Sequence, residues 1–92
     1  MGFNNMYYLC IFDSKNKAVY LQSVLERSGH KNFQLVSTPC RIKAGCSFSI
    51  KFPHISYLNL IKSKVEELNL PEPKIFYIEK LNGKATYKEI AY

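Results

Sequence analysis

Two cysteines bracket a short basic segment, Thr38-Pro39-Cys40-Arg41-Ile42-Lys43-Ala44-Gly45-Cys46. A thiol does chemistry when it ionises, and nearby cations or a helix N-terminus lower its pKa. Arg41 and Lys43 lie between the two thiols, and Gly45 permits a close backbone approach or a positive φ just before Cys46. Cys40 is the candidate resolving thiol, able to close a reversible disulfide with Cys46 across five intervening residues. Cys10, inside an apolar run, reads as a core residue. Three cysteines in 92 residues do not make a disulfide framework.

Other chemistries fit the chain less well. The cysteine spacing is not that of a structural zinc pair, no second pair follows, and His30 and His54 are the only histidines. No nucleophile elbow, phosphate-binding loop or dinucleotide glycine pattern occurs. Asp13 reads as a helix cap, and Glu66-Glu67 as a solvated helix face. No metal and no organic cofactor is expected.

The elements that must position these thiols follow from periodicity. Residues 6–12 form a continuous apolar run rich in aromatic and branched side chains, which predicts a buried central strand. Asp13-Ser14 offers a helix N-cap, and Ala18, Leu21, Leu25 and Ser28 recur on one helical face until Gly29 ends it. Residues 33–37 predict a second strand, stopped by Pro39. In residues 46–52, Cys46, Phe48, Ile50 and Phe52 share one side and Ser47, Ser49 and Lys51 the other, which predicts a strand with one buried and one solvated face. Pro53 suits the start of a second helix carrying Leu58, Ile61, Val65 and Leu68, ended by Pro71 and Pro73. Residues 75–80 and 85–92 flank Asn82-Gly83, a strong hairpin signal.

The expected fold class is α+β: a ferredoxin-like βαββαβ two-layer sandwich with an antiparallel sheet and an extra, short C-terminal hairpin strand. The chain reads as one domain over residues 1–92, with residues 1–5 expected to be a disordered tail. Right-handed crossovers bring the loop after the second strand to the N-terminus of the first helix. Ser14, Lys15 and Lys17 there, with Arg41 and Lys43, are the expected stabilisers of a Cys46 thiolate, whose strand parity directs it toward the helices. The Pro71–Pro73 stretch is expected at the same end. An ordinary small hydrophobe at a strand end is the alternative reading of Cys46, and the residues alone leave both open.

Thirteen basic residues against seven acidic give a net charge of +6, which favours anionic partners. Eleven of the thirteen are lysines spread without a block, as on an ordinary solvated surface. A basic ferredoxin-like domain raises RNA binding as the main alternative. That mode needs aromatics on the open sheet face, and Ser47, Ser49 and Lys51 cannot stack bases. A protein-interaction module, with a homodimer formed through the open sheet face, is a further alternative. No apolar run has the roughly 18 residues of a membrane span, and the first residues lack the pattern of a signal peptide. The expected location is the cytoplasm, where thiols stay reduced.

The opening strand Met6-Tyr7-Tyr8-Leu9-Cys10-Ile11-Phe12, the helix after it, and Ser37-Thr38-Pro39-Cys40-Arg41-Ile42-Lys43-Ala44-Gly45-Cys46 followed by Phe48-Ser49-Ile50-Lys51-Phe52 resemble the putative selenium/sulfur carrier protein-like family of small bacterial proteins. The likeness runs over roughly residues 6–77. It implies a cysteine that carries sulfur or selenium as a persulfide or selenopersulfide, exchanged with donor and acceptor proteins. The family's motif cysteine corresponds to Cys46 and its motif proline to Pro39. Many members have glycine after the cysteine, where this chain has Ser47. The expected product is a carrier more than an enzyme.

Overall fold

A computed structural model describes residues 5–39, 42 and 47–90 of the chain. Its elements are β1 (Asn5–Ile11), α1 (Lys15–Arg27), β2 (Gln34–Ser37), β3 (Phe48–Phe52), a 3-10 turn (Ile55–Tyr57), α2 (Leu58–Glu67), β4 (Lys74–Leu81) and β5 (Lys84–Ile90). They form one antiparallel five-stranded sheet in the order β2-β3-β1-β4-β5 with two helices, a small α+β architecture. The continuous apolar run of β1 is central, as its composition requires. It pairs with β3 on one side, Cys10 opposite Ile50, and with β4 on the other, Cys10 opposite Ile75.

Alternation in the strands divides the sheet into two faces. Cys10, Phe12, Ile50, Phe52 and Ile75 join Ala18, Leu21 and Leu25 of α1 and Leu58, Ile61 and Val65 of α2 in the main core. The aromatics on this face form a chain, with Tyr8 stacked on Phe52 at 5.4 Å and Phe33 edge-on to Tyr57 at 5.4 Å. Leu21, Leu25 and Ile61 are fully buried, each contributing about 1.5–3 kcal/mol of transfer free energy. The opposite face carries a smaller cluster of Leu9, Ile11 and Ile78 with Tyr7, Val36, Ile42, Phe76 and Tyr87.

Both helices end in the same way. At α1, Gly29 takes φ +89°, its N–H bonds to Glu26 O, and the His30 N–H reaches back to Leu25 O. At α2, Asn69 takes φ +55° with the equivalent bonds from Asn69 and Leu70 to Glu66 and Val65. These bonds satisfy carbonyls that the helix itself leaves open. Asn82 and Gly83, with φ of +53° and +80°, turn the β4–β5 hairpin as their sequence demands.

Several sequence expectations are corrected. The second helical segment begins with the 3-10 turn at Ile55 instead of at Pro53, because β3 runs to Phe52 and Pro53 follows as a bend. Ser14 has the extended backbone of an N-cap, but its hydroxyl makes no capping bond. The last strand is not a short edge: it spans seven residues paired along β4 from Leu81 to Ile75. Ser47 and Ser49 are not on a solvated face. They are 8% and 0% exposed, because that side of β3 is covered near its start, while Lys51 further along the same side stays half-buried. β1 begins at Asn5, the last residue of the expected tail.

Candidate functional site

The hairpin between β2 and β3 is closed one residue beyond the strands by Thr38 N–H donating to Ser47 O at 3.0 Å. Past that pair, Ile42 N–H bonds to Pro39 O at 3.0 Å, closing a turn that starts at Pro39. Cys40, Arg41, Lys43, Gly45 and Cys46 lie outside the described residues, as does the side chain of Lys15. Pro39 and Ser47 therefore mark the two described flanks of the candidate site.

Ile42 is the described residue between those two flanks. Its side chain packs against the cluster of Leu9, Ile11 and Ile78, on the sheet face away from the helices. Ile42 also lines a cavity of about 370 Å³ with Ile11, Phe12, Asp13, Pro71, Glu72, Lys74 and Phe76. The end of β1 and the residues after it, the Pro71–Lys74 stretch before and into β4, and Ile42 thus share one cavity. His30 follows α1 and His54 follows β3, at the other end of their elements. Among the described residues no group of three or more His, Cys, Asp or Glu side chains is arranged to hold a metal ion.

Polar burial is concentrated at the foot of this hairpin. Among the described residues the buried polar side chains are Thr38, Ser47 and Ser49. Thr38 Oγ1 and Ser49 Oγ share a hydrogen bond at 2.5 Å. Ser47 Oγ is buried and has no hydrogen-bond partner among the described residues. A buried polar group left unpaired costs about 1–3 kcal/mol, so a partner for this hydroxyl matters to the stability of the hairpin foot. Sequence reasoning missed these hydroxyls. The available signal was the unbroken apolar run of β1: with both of its faces apolar, the side that carries Leu9 and Ile11 needed a cover.

At the head of α1, Lys17 Nζ pairs with Asp13 Oδ1 at 3.2 Å, with the carboxylate side chain 74% exposed. Such an exposed pair contributes well under about 1 kcal/mol. The first turn of α1 contains no acidic residue, so its positive end is not neutralised from within the helix.

Cys10 occupies the opposite environment. It is 0% exposed among core residues, and burial pushes its thiol pKa far above the ordinary value. Its sulfur is therefore neutral and unreactive in the folded protein. No helix among the described residues is long and apolar enough to cross a membrane.

No curated protein and no solved structure matches the chain. A family model does, covering residues 7–77, from β1 through the middle of β4 and including the whole cysteine segment. The chain belongs to the putative Se/S carrier protein-like family.

Proposed function

We propose that the protein is a carrier of sulfur or selenium that works through the Cys46 thiol. The observation that carries this reading is membership of a family described as a Se/S carrier, with the match running across the cysteine segment. The state of Cys10 supports it by elimination: a fully buried, neutral thiol cannot serve, which leaves Cys40 and Cys46. The order β2-β3-β1-β4, with β5 added outside β4, is also read as the split βαβ, ferredoxin-like plan.

In the proposed cycle the Cys46 thiolate attacks the terminal sulfur of a donor persulfide. The donor's S–S bond breaks, the donor leaves as a thiolate, and Cys46 becomes the persulfide. An acceptor nucleophile then attacks that terminal sulfur and releases Cys46 as thiolate. Each step is an exchange at sulfur, with no net oxidation and no metal or organic cofactor. The α1 N-terminus at Ser14, with Lys15, Lys17, Arg41 and Lys43, would hold the negative charge. Pro39 and Gly45 would shape the loop, and Cys40 would act as resolving thiol. The cavity walls Ile11, Phe12, Ile42, Pro71 and Phe76 would limit water at the exchanging sulfur. A selenopersulfide would follow the same route, in the cytoplasm, between donor and acceptor proteins.

The test is a competition for a limiting alkylating agent near neutral pH, read by peptide mapping. Cys46 is expected to be modified far faster than Cys10. Equal, slow modification of both in the folded protein would remove the proposal.

A further inference from the structure

The sheet face away from the helices carries a second feature that the carrier reading does not use. Tyr7, Ile78 and Tyr87 stand in one row across β1, β4 and β5, because Tyr7 pairs with Ile78 and Ile78 with Tyr87. Phe76 lies on the same face, opposite Leu9. The three rings are half-buried and pack over Leu9 and Ile78, so each is anchored on an apolar floor and keeps an accessible part. Strand spacing places Tyr7 and Tyr87 about 10 Å apart. The sequence reading found no stacking rings on the open side of β3; β1, β4 and β5 supply them instead.

Charge surrounds these rings. Lys51 Nζ lies 4.4 Å from the centroid of Tyr7. Strand alternation puts Lys74 and Lys80 on the same face, both exposed, against Glu89 as the acidic residue of that face within the strands. The strands together hold five lysines and two glutamates. Aromatic platforms rimmed by cations are what single-stranded nucleic acids bind without reading sequence. An apolar peptide would gain little from the lysines. A membrane surface would use the charge without needing the rings.

We propose that this face, centred on Tyr7, Phe76 and Tyr87 with Lys51, Lys74 and Lys80, binds single-stranded nucleic acid. The row of Tyr7 and Tyr87 lies toward the end of β1 away from Ile11 and Ile42. Phe76 and Lys74 also line the cavity beside Ile42, so the face adjoins the candidate thiol site, but the stacking row of Tyr7 and Tyr87 does not use the Cys46 thiol and goes beyond the carrier function.

The experiment is fluorescence anisotropy with labelled oligouridine RNA and oligothymidine DNA of about 12 nucleotides, within the range of known site sizes. Binding is expected to weaken with salt at a log–log slope of about −2, for three phosphate contacts on a single strand. Tyr87→Leu keeps the cover over Ile78 and removes the stacking surface, and is expected to weaken binding about 5- to 150-fold, whereas Tyr87→Phe retains it. Tyr20→Ala removes an exposed ring from α1, the other side of the molecule, and is expected to change nothing. Cys46→Ser is also expected to bind as wild type, so failure here is distinguishable from failure of the carrier reading. Absence of binding at low salt overturns the proposal. So does an unchanged affinity for Tyr87→Leu, or binding to anionic phosphatidylserine vesicles that competes fully with RNA and is equally indifferent to Tyr87.

Discussion

Cys10 in β1 and Ser47, one residue before β3, lie on opposite sides of one sheet, and the protein treats their surroundings in opposite ways. Cys10 packs within the apolar core, the thiol is fully enclosed, and burial raises its pKa. Around Ser47 three hydroxyls are buried, two sharing a hydrogen bond and one without a partner among the described residues. The first region has the composition of a core that stabilises the fold. The second concentrates buried hydroxyls on the described flank of the cysteine segment, where pairing decides whether polar burial is favourable.

The comparison breaks first if the helix-covered side is not the stabilising one. Leu21→Ala, fully buried between α1 and the sheet, should cost about 2–5 kcal/mol in urea unfolding. A cost near zero would show that α1 is not docked as described.

The hydroxyl cluster gives a sharper test because its members should respond with opposite signs. Ser49→Ala leaves Thr38 Oγ1 without its partner and should destabilise by about 1–3 kcal/mol. Ser47→Ala removes an unpaired buried hydroxyl and should stabilise by a similar or smaller amount. Destabilisation by Ser47→Ala, measured by the same unfolding curves, would mean that its hydroxyl has a partner after all.

Cys10 predicts a pH dependence. Its folded pKa is raised, so the unfolded chain loses this proton first as pH rises. The contribution is present in full below the ordinary thiol range, about 8.5, and is lost above it at about 1.4 kcal/mol per pH unit. The difference in stability between wild type and Cys10→Ala should therefore narrow between pH 8 and pH 10, roughly the window above the unfolded thiol pKa. A constant difference would show a thiol that ionises in place. The smallest effect is expected at Gly29→Ala, where no neighbour lies within 4 Å and only the positive φ resists, at about 1 kcal/mol in thermal melts.

Much of the architecture was legible because local signals agreed with the global fold. The apolar run of β1, the helical spacing of Ala18, Leu21 and Leu25, Gly29 as helix stop and Asn82-Gly83 as hairpin all point to elements the structure contains. Boundaries were weaker. Pro53 fits a helix start, yet pairing of β3 with β1 out to Phe52 delays the helix. The covering of Ser47 and Ser49 was not legible, because alternation within one strand reports two faces without saying what lies on each. The same limit hid the aromatic row of Tyr7 and Tyr87, whose members come from strands far apart in sequence. The candidate thiols were legible as residues. The expected contact of Cys46 with the α1 N-terminus lies outside the described residues, and the described neighbour Ile42 packs on the face away from the helices while sharing a cavity with Asp13.

Intact-mass spectrometry after treatment with a persulfide donor tests the central claim most directly. Wild type and Cys10→Ala should each gain the mass of one sulfur atom, reversed by a thiol acceptor, and Cys46→Ser should gain none. Equal sulfur uptake by Cys46→Ser, or none by wild type, would contradict the account.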